Sequence, residues 1–197
     1  MSRSLRLAAA ALVGVAVVAP AARAQNPVAV AQTPNTIEIG ADAGVVFGLG
    51  DQSFVSFDFP AQKARLGFFL NNDSRVSIEP AAGLTVFKAK DDDAVTGYLA
   101  EIGALYHFRP ARLITDVANR ADVSYVRPFV GIQGFADAGG DDDDVNDPYV
   151  GAGIGVKIPY RTNIALRAEA NIGYGFDNEA ARLGLNLGLS FFTRRDR

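Results

Sequence analysis

The feature that most constrains this chain is a strict alternation of side-chain type near its C-terminus. From Asn163 to Phe176, the residues Ile164, Leu166, Ala168, Ala170, Ile172, Tyr174 and Phe176 share one parity. Asn163, Ala165, Arg167, Glu169, Asn171, Gly173 and Gly175 share the other. After Arg182, Leu183, Leu185, Leu187, Leu189 and Phe191 alternate with Gly184, Asn186, Gly188 and Ser190. A period of two puts successive side chains on opposite faces of an extended strand and does not fit a helix. The same test finds six further segments: Thr36–Gly48, Lys63–Asn71, Arg75–Phe87, Thr96–Phe108, Tyr125–Ala136 and Tyr149–Ile158. Turn chemistry separates them at Asn71-Asn72-Asp73-Ser74, Asp91-Asp92-Asp93, Gly139-Gly140-Asp141 and Tyr160-Arg161-Thr162. Ser53–Phe59 also alternates, which leaves open whether the second strand begins there and breaks at Pro60. Eight consecutive strands with short links predict an all-β fold, an eight-stranded antiparallel up-and-down barrel.

The two faces of these strands differ sharply. One carries Ile37, Ile39, Val45, Phe47, Leu66, Phe68, Val76, Ile78, Leu84, Val86, Ile102, Val130, Ile132, Val150, Ile154 and Val156, with no charge among them. The other is rich in glycine and carries Gln133, Asn171 and ten charges. These are Glu38, Asp42, Glu79, Glu101 and Glu169 with Lys63, Arg65, Arg127, Lys157 and Arg167, five acids and five bases. Balanced charge beside small residues suits a cramped interior better than a solvated exterior, so the apolar face is expected to meet lipid. The strands have about the 9–11 residues that cross a bilayer when tilted, and a closed barrel satisfies its own backbone there. Phe47, Tyr98, Tyr174 and Phe176 lie toward one end of the apolar face, and Tyr106, Phe108 and Phe191 toward the other. Two such aromatic belts are expected where each leaflet meets water.

The N-terminus carries an export signal. Arg3 and Arg6 precede an unbroken apolar run from Leu7 to Val18, and Ala22-Arg23-Ala24 is a small-x-small cleavage site. The 12-residue run is shorter than the roughly 20 residues of a spanning helix and fits a secretory signal peptide. Residues 1–24 are therefore expected to be removed, residues 25–35 to form a periplasmic linker, and residues 36–197 to form the barrel.

An exported barrel with an even strand number keeps both termini in the periplasm, which fixes the side of every connection. Those assigned outside, Leu49–Gln62, Lys88–Val95, Asp137–Pro148 and Asp177–Ala181, hold 13 acidic and two basic residues. Those assigned inside, Asn71–Arg75, Arg109–Asp122, Pro159–Asn163 and Arg194–Arg197, hold four acidic and eight basic residues. Strand counting alone made this partition, yet the charge segregates.

On these features the chain resembles the small eight-stranded outer-membrane barrels of Gram-negative bacteria, the class of the OmpA membrane domain and OmpX. The resemblance covers the signal peptide and Thr36 to Arg194. Its most motif-like parts are Arg127-Pro128-Phe129-Val130-Gly131 and Asp147-Pro148-Tyr149-Val150-Gly151, in which an aromatic and the glycine two positions later share the lumen face. There a ring can cover neighbouring bare backbone. The strand Leu183–Phe192 is similar to the C-terminal targeting signal of such barrels, although Thr193–Arg197 follows the aromatic. The resemblance implies an outer-membrane location, lipid and the barrel-assembly machinery as partners, a monomeric state, and a structural or adhesive role with a cell-surface ligand. A narrow porin-like channel for small solutes is the alternative.

Other functions are disfavoured by residue supply. The chain has no Cys and one His, which argues against thiolate metal sites and Ser-His-Asp hydrolysis. His107 falls at the inner end of the fourth strand, where a rim histidine is expected rather than a catalyst. The lumen acids balance the bases and so predict a salt-bridge network, not paired carboxylates for acid–base work. Asp91, Asp92, Asp93, Asp141, Asp142, Asp143 and Asp144 form acidic surface loops without the spaced ligands and fixed glycine of a calcium loop. No enzyme activity, cofactor or metal is expected, and the acidic balance argues against nucleic acid. Pro80 and Pro128 each remove a ladder donor within a strand, for which bulges are the expected remedy.

Overall fold

A computed structural model describes residues 37–49, 55–70, 74–87, 95–116, 118–137, 145–177 and 179–193. The signal and linker segments, Asp91–Asp93 and Asp141–Asp144 lie outside the described residues. Eight strands, β1 (Ile37–Leu49), β2 (Val55–Phe69), β3 (Val76–Phe87), β4 (Val95–His107), β5 (Val123–Asp137), β6 (Val145–Arg161), β7 (Ile164–Gly175) and β8 (Ala181–Thr193), follow one another in order. Each pairs antiparallel with its neighbour, and β8 pairs with β1, so the sheet closes into an up-and-down barrel. Closure leaves no strand at the edge of an open sheet.

The alternation assigned the faces correctly. Leu66, Leu84, Ile102, Val130, Ile154, Leu166, Leu185 and Leu187 project outward and are exposed, whereas their strand neighbours of opposite parity point into the lumen. An exterior of exposed leucine, isoleucine and valine is the reverse of a water-soluble domain, which avoids large contiguous apolar patches. The outward aromatics lie near the strand ends. Tyr106 meets Phe108 edge-on at 5.8 Å, and at the opposite end Tyr174 meets Phe176 in the same way at 5.8 Å.

Prolines mark the departures from expectation. Strand β2 begins at Val55 and continues through Pro60. The β1–β2 register jumps between Asp42–Lys63 and Gly44–Asp58, which sets Phe59–Gln62 opposite Ala43 alone. Pro60 thus sits where the ladder needs no donor. Pro80 and Pro128 need no bulge. The β2–β3 ladder pairs Arg65 with Ala81 and next Phe68 with Ile78, in one unbroken register that skips Pro80 and Glu79. The β4–β5 ladder likewise skips from Gly103–Phe129 to Tyr106–Val126. On its other side each proline keeps its place, Pro80 opposite Ile102 and Pro128 opposite Ala152. The missing donor is accommodated by a local lapse in one ladder, not by an inserted residue.

Three acids assigned to outer connections belong to strands: Asp58 to β2, Asp147 to β6 and Asp137 to the end of β5. The connection between β4 and β5 is more than a loop, because it contains a one-turn 3-10 helix, η1 (Ala111–Ile114).

Candidate functional site

Every one of the ten alternation-selected charges lies inside the barrel, and none is more than 8% exposed. At that burial a lone charge costs several kcal/mol, so the pairing geometry decides whether the lumen is stable. On β1–β2, Arg65 binds Glu38 and Asp42, each at 2.8 Å, and reaches Glu79 on β3 at 3.7 Å. Glu79 takes Arg167 of β7 through two bonds of 2.6 and 3.0 Å. Arg167 also grips Glu169 at 2.6 Å, and Glu169 receives Arg127 of β5 at 2.7 Å. Arg127 continues to Glu101 on β4 at 2.7 Å, and Glu101 holds Lys63 at 2.7 Å. Lys157 donates to Glu38. The ten groups therefore form one continuous network drawn from β1 through β7, with β8 adding Ser190.

Neutral hydroxyls fill the remaining bonding capacity. The Tyr125 hydroxyl donates to Glu169 Oε2 at 2.8 Å and accepts from Arg167 Nε at 2.6 Å. Ser190 Oγ donates to Glu38 at 2.7 Å and accepts from Arg65 at 3.1 Å. The Tyr149 hydroxyl donates to Glu101 at 3.0 Å. Forked guanidiniums make most of the carboxylate contacts, as their fixed multi-donor geometry favours.

Sequence parity chose the residues but not their partners. Alternation alone puts Arg167 and Glu169 on the lumen face, with cross-strand partners on β6 and β8 within reach. Arg167 instead spans the lumen to Glu79 on β3 and meets Glu169 on its own strand, while Glu169 takes Arg127 of β5. An eight-stranded interior is only wide enough for side chains to fill, so a long arginine meets the opposite wall. Lys157 stands directly opposite Arg167 in the β6–β7 ladder, and the two like charges diverge to different acids.

The repeated proline–aromatic motifs work across strands rather than along one. Phe129 pairs with Gly151 and Tyr149 with Gly131 on the β5–β6 ladder. A Cβ at Gly131 would lie 2.7 Å from the Tyr149 ring and 2.6 Å from the Ala100 carbonyl oxygen. Glycine is needed there because the ring lies directly on the backbone. Tyr125 covers Gly155 by the same device.

Above the network, toward the end carrying the acidic connections, a cavity of about 80 Å³ is lined by Lys63, Gln133, Asn171, Arg182 and Asn186. Asp147, read from sequence as a loop acid, is buried there and receives Arg182 at 2.9 Å and Gln133 at 3.1 Å. Its parity with Tyr149 was the available signal.

Below the network the lumen turns apolar. Ile114 and Val123 are fully buried, and with Ala111, Ala165 and Phe192 they form a cluster against which Phe69 and Leu113 pack. The η1 turn is tied down by Ala111 N–H donating to the Ser74 carbonyl at 2.9 Å, from a Ser74 held in the left-handed region (φ 51°). His107 links the two layers. Its Nδ1 lies 3.1 Å from the Arg75 carbonyl and its Nε2 lies 3.2 Å from Lys157 Nζ. That arrangement suits a neutral ring that donates at Nδ1 and accepts at Nε2, and its Nε2 faces an ammonium rather than a nucleophile.

A closed antiparallel barrel of eight strands with an apolar exterior and a charged interior is the architecture of small outer-membrane barrels. Among solved structures, the chain matches Neisserial surface protein A at 14% identity over 80% of this chain and 96% of that one, with a TM-score of 0.53. It also aligns with the N-terminal β-barrel domain of Pseudomonas aeruginosa OprF at 20% identity, over 79% and 97% of the two chains, with a TM-score of 0.49. The likeness is one of fold. No protein-family model and no curated protein sequence matches the chain.

Proposed function

We propose that the chain is a closed outer-membrane barrel with a structural or adhesive role at the cell surface, presenting acidic loops to the exterior and conducting little through its lumen. The observation that carries this reading is the single network joining all ten buried charges, sealed below by the apolar cluster around Ile114. The exposed aliphatic wall supports outer-membrane lipid as its immediate surroundings. The resemblance adds export by a signal peptide, delivery by the barrel-assembly machinery and a monomeric state. A surface ligand would meet the loops holding Asp91–Asp93 and Asp141–Asp144. The barrel acts without catalysis, cofactor or nucleic acid.

The narrow channel is the second reading, favoured by the polar cavity above the network. Fractionation and surface labelling test the first. The protein should remain in the outer-membrane fraction after alkaline extraction, and its unboiled form should migrate differently on a denaturing gel. An epitope at Asp142 should be labelled on intact cells, and one at Val117 should not. Recovery as a soluble periplasmic protein, or the opposite labelling pattern, would refute the placement.

A further inference from the structure

We propose that the rim of the barrel at the Ile37 and Thr193 end is a binding surface for phosphate-bearing anionic lipid headgroups. The inference rests on the lipid-exposed reading of the barrel wall and names a partner for one end of it.

The lipid-facing residues at this end finish in rings: Tyr160 is 62% exposed, and Tyr106 and Phe191 are each 45% exposed. Immediately beyond them stand arginines. Arg161 closes β6 and sets its guanidinium 5.9 Å from the centroid of the Tyr160 ring, so this cation lies beside a ring that marks the membrane interface. Arg109 and Arg120, on the β4–β5 connection, are exposed as well, and Arg112 is half-buried within η1. Among the described residues Arg109, Arg120 and Arg161 form no salt bridge with a carboxylate, in contrast to the lumen bases, and Arg112 acts on Asp116 at longer range. Two acids share the connection. Asp116 is engaged by the backbone N–H groups of Ala118 and Asn119 at 2.9 and 3.2 Å, and Asp122 is exposed.

Exposed, unpaired guanidiniums at the headgroup level meet a ligand of matching geometry in a lipid phosphate, which accepts a fork of N–H donors. Basic residues close to an anionic bilayer surface are attracted to it. The opposite end cannot serve in this way, since its connections are dominated by aspartate.

The test uses the mature chain, residues 25–197, refolded into phosphatidylcholine vesicles, with spin-labelled phosphatidylglycerol or phosphatidylcholine as probe. A motionally restricted population should appear for both labels, and phosphatidylglycerol should associate about twofold or more strongly. The preference should fall markedly in the triple variant Arg109→Gln, Arg120→Gln, Arg161→Gln, with its folding verified by unboiled gel migration. It should also fall in 1 M NaCl, where screening acts over about 3 Å. Lys88→Gln with Lys90→Gln, at the other end, should leave it intact. Equal association of the two labels with the native protein, or an unchanged preference in the triple variant, would overturn the proposal. So would displacement by inorganic phosphate beyond that by chloride at matched ionic strength, which would assign the rim to soluble phosphates. Absence of any restricted lipid would instead refute the membrane placement itself.

Discussion

The middle of the lumen and its inner end are packed by opposite means. The middle is held by ten charges and three hydroxyls, in which nearly every contact is directional and most groups depend on two or more others. The inner end is packed with Ile114, Val123, Phe192, Ala111 and Ala165, whose contacts are interchangeable and need no partner of matching charge. The difference teaches where specificity is stored. A charge network fixes one arrangement and penalises any vacancy heavily, whereas an apolar cluster loses stability in proportion to the volume removed.

Substitution should separate the two regions. Arg167→Leu is expected to have the largest effect, about 3–5 kcal/mol, because Glu79 and Glu169 would remain buried without their main partner. Denaturant unfolding in lipid vesicles measures this, and adding Glu79→Leu to the same chain should recover part of the loss. A loss no greater than that of an apolar truncation would break the distinction between the regions.

Ile114→Ala should cost less, about 2–3 kcal/mol, from the low end of the range for buried aliphatic truncation, since η1 closes an end and can settle inward. The same unfolding experiment checks it, and the loss should not depend on salt.

The smallest effect concerns Asp116, on the connection that carries η1. Backbone N–H groups of Ala118 and Asn119 stabilise its carboxylate and hold its pKa below the usual value. A group with a depressed folded pKa contributes stability that is present above its unfolded pKa and lost as pH falls through the folded one. Asp116→Ala should therefore lower the unfolding midpoint slightly at neutral pH, and the difference from the native protein should shrink on acidification. A difference that grows toward low pH would contradict the assignment.

The contrast between the regions also explains what the sequence could disclose. Parity is a local property, so Arg65, Glu79, Arg127 and Glu169 were all legible as lumen residues from their neighbours alone. Their partners were not, because Arg167 finds Glu79 only after the barrel closes and brings β7 opposite β3. The inner seal was hidden for another reason. Ala111, Leu113 and Ile114 occur in a connection with no strand period, and Phe192 was read only as part of a C-terminal strand. Asp147 was masked by the aspartates that precede it, although its parity with Tyr149 placed it inside. The prolines were recognised as ladder defects, while the remedy depended on which neighbouring strand each missing donor faced.

Conductance of the purified protein in a planar bilayer tests the closed lumen most directly. With the charge network intact and the Ile114 cluster beneath it, the native barrel should give little or no stable current. Joint replacement of Arg65, Arg127 and Arg167 by alanine should loosen the middle of the lumen and raise conductance. Steady, ion-selective openings of the native protein would contradict the closed lumen and establish the barrel as a channel.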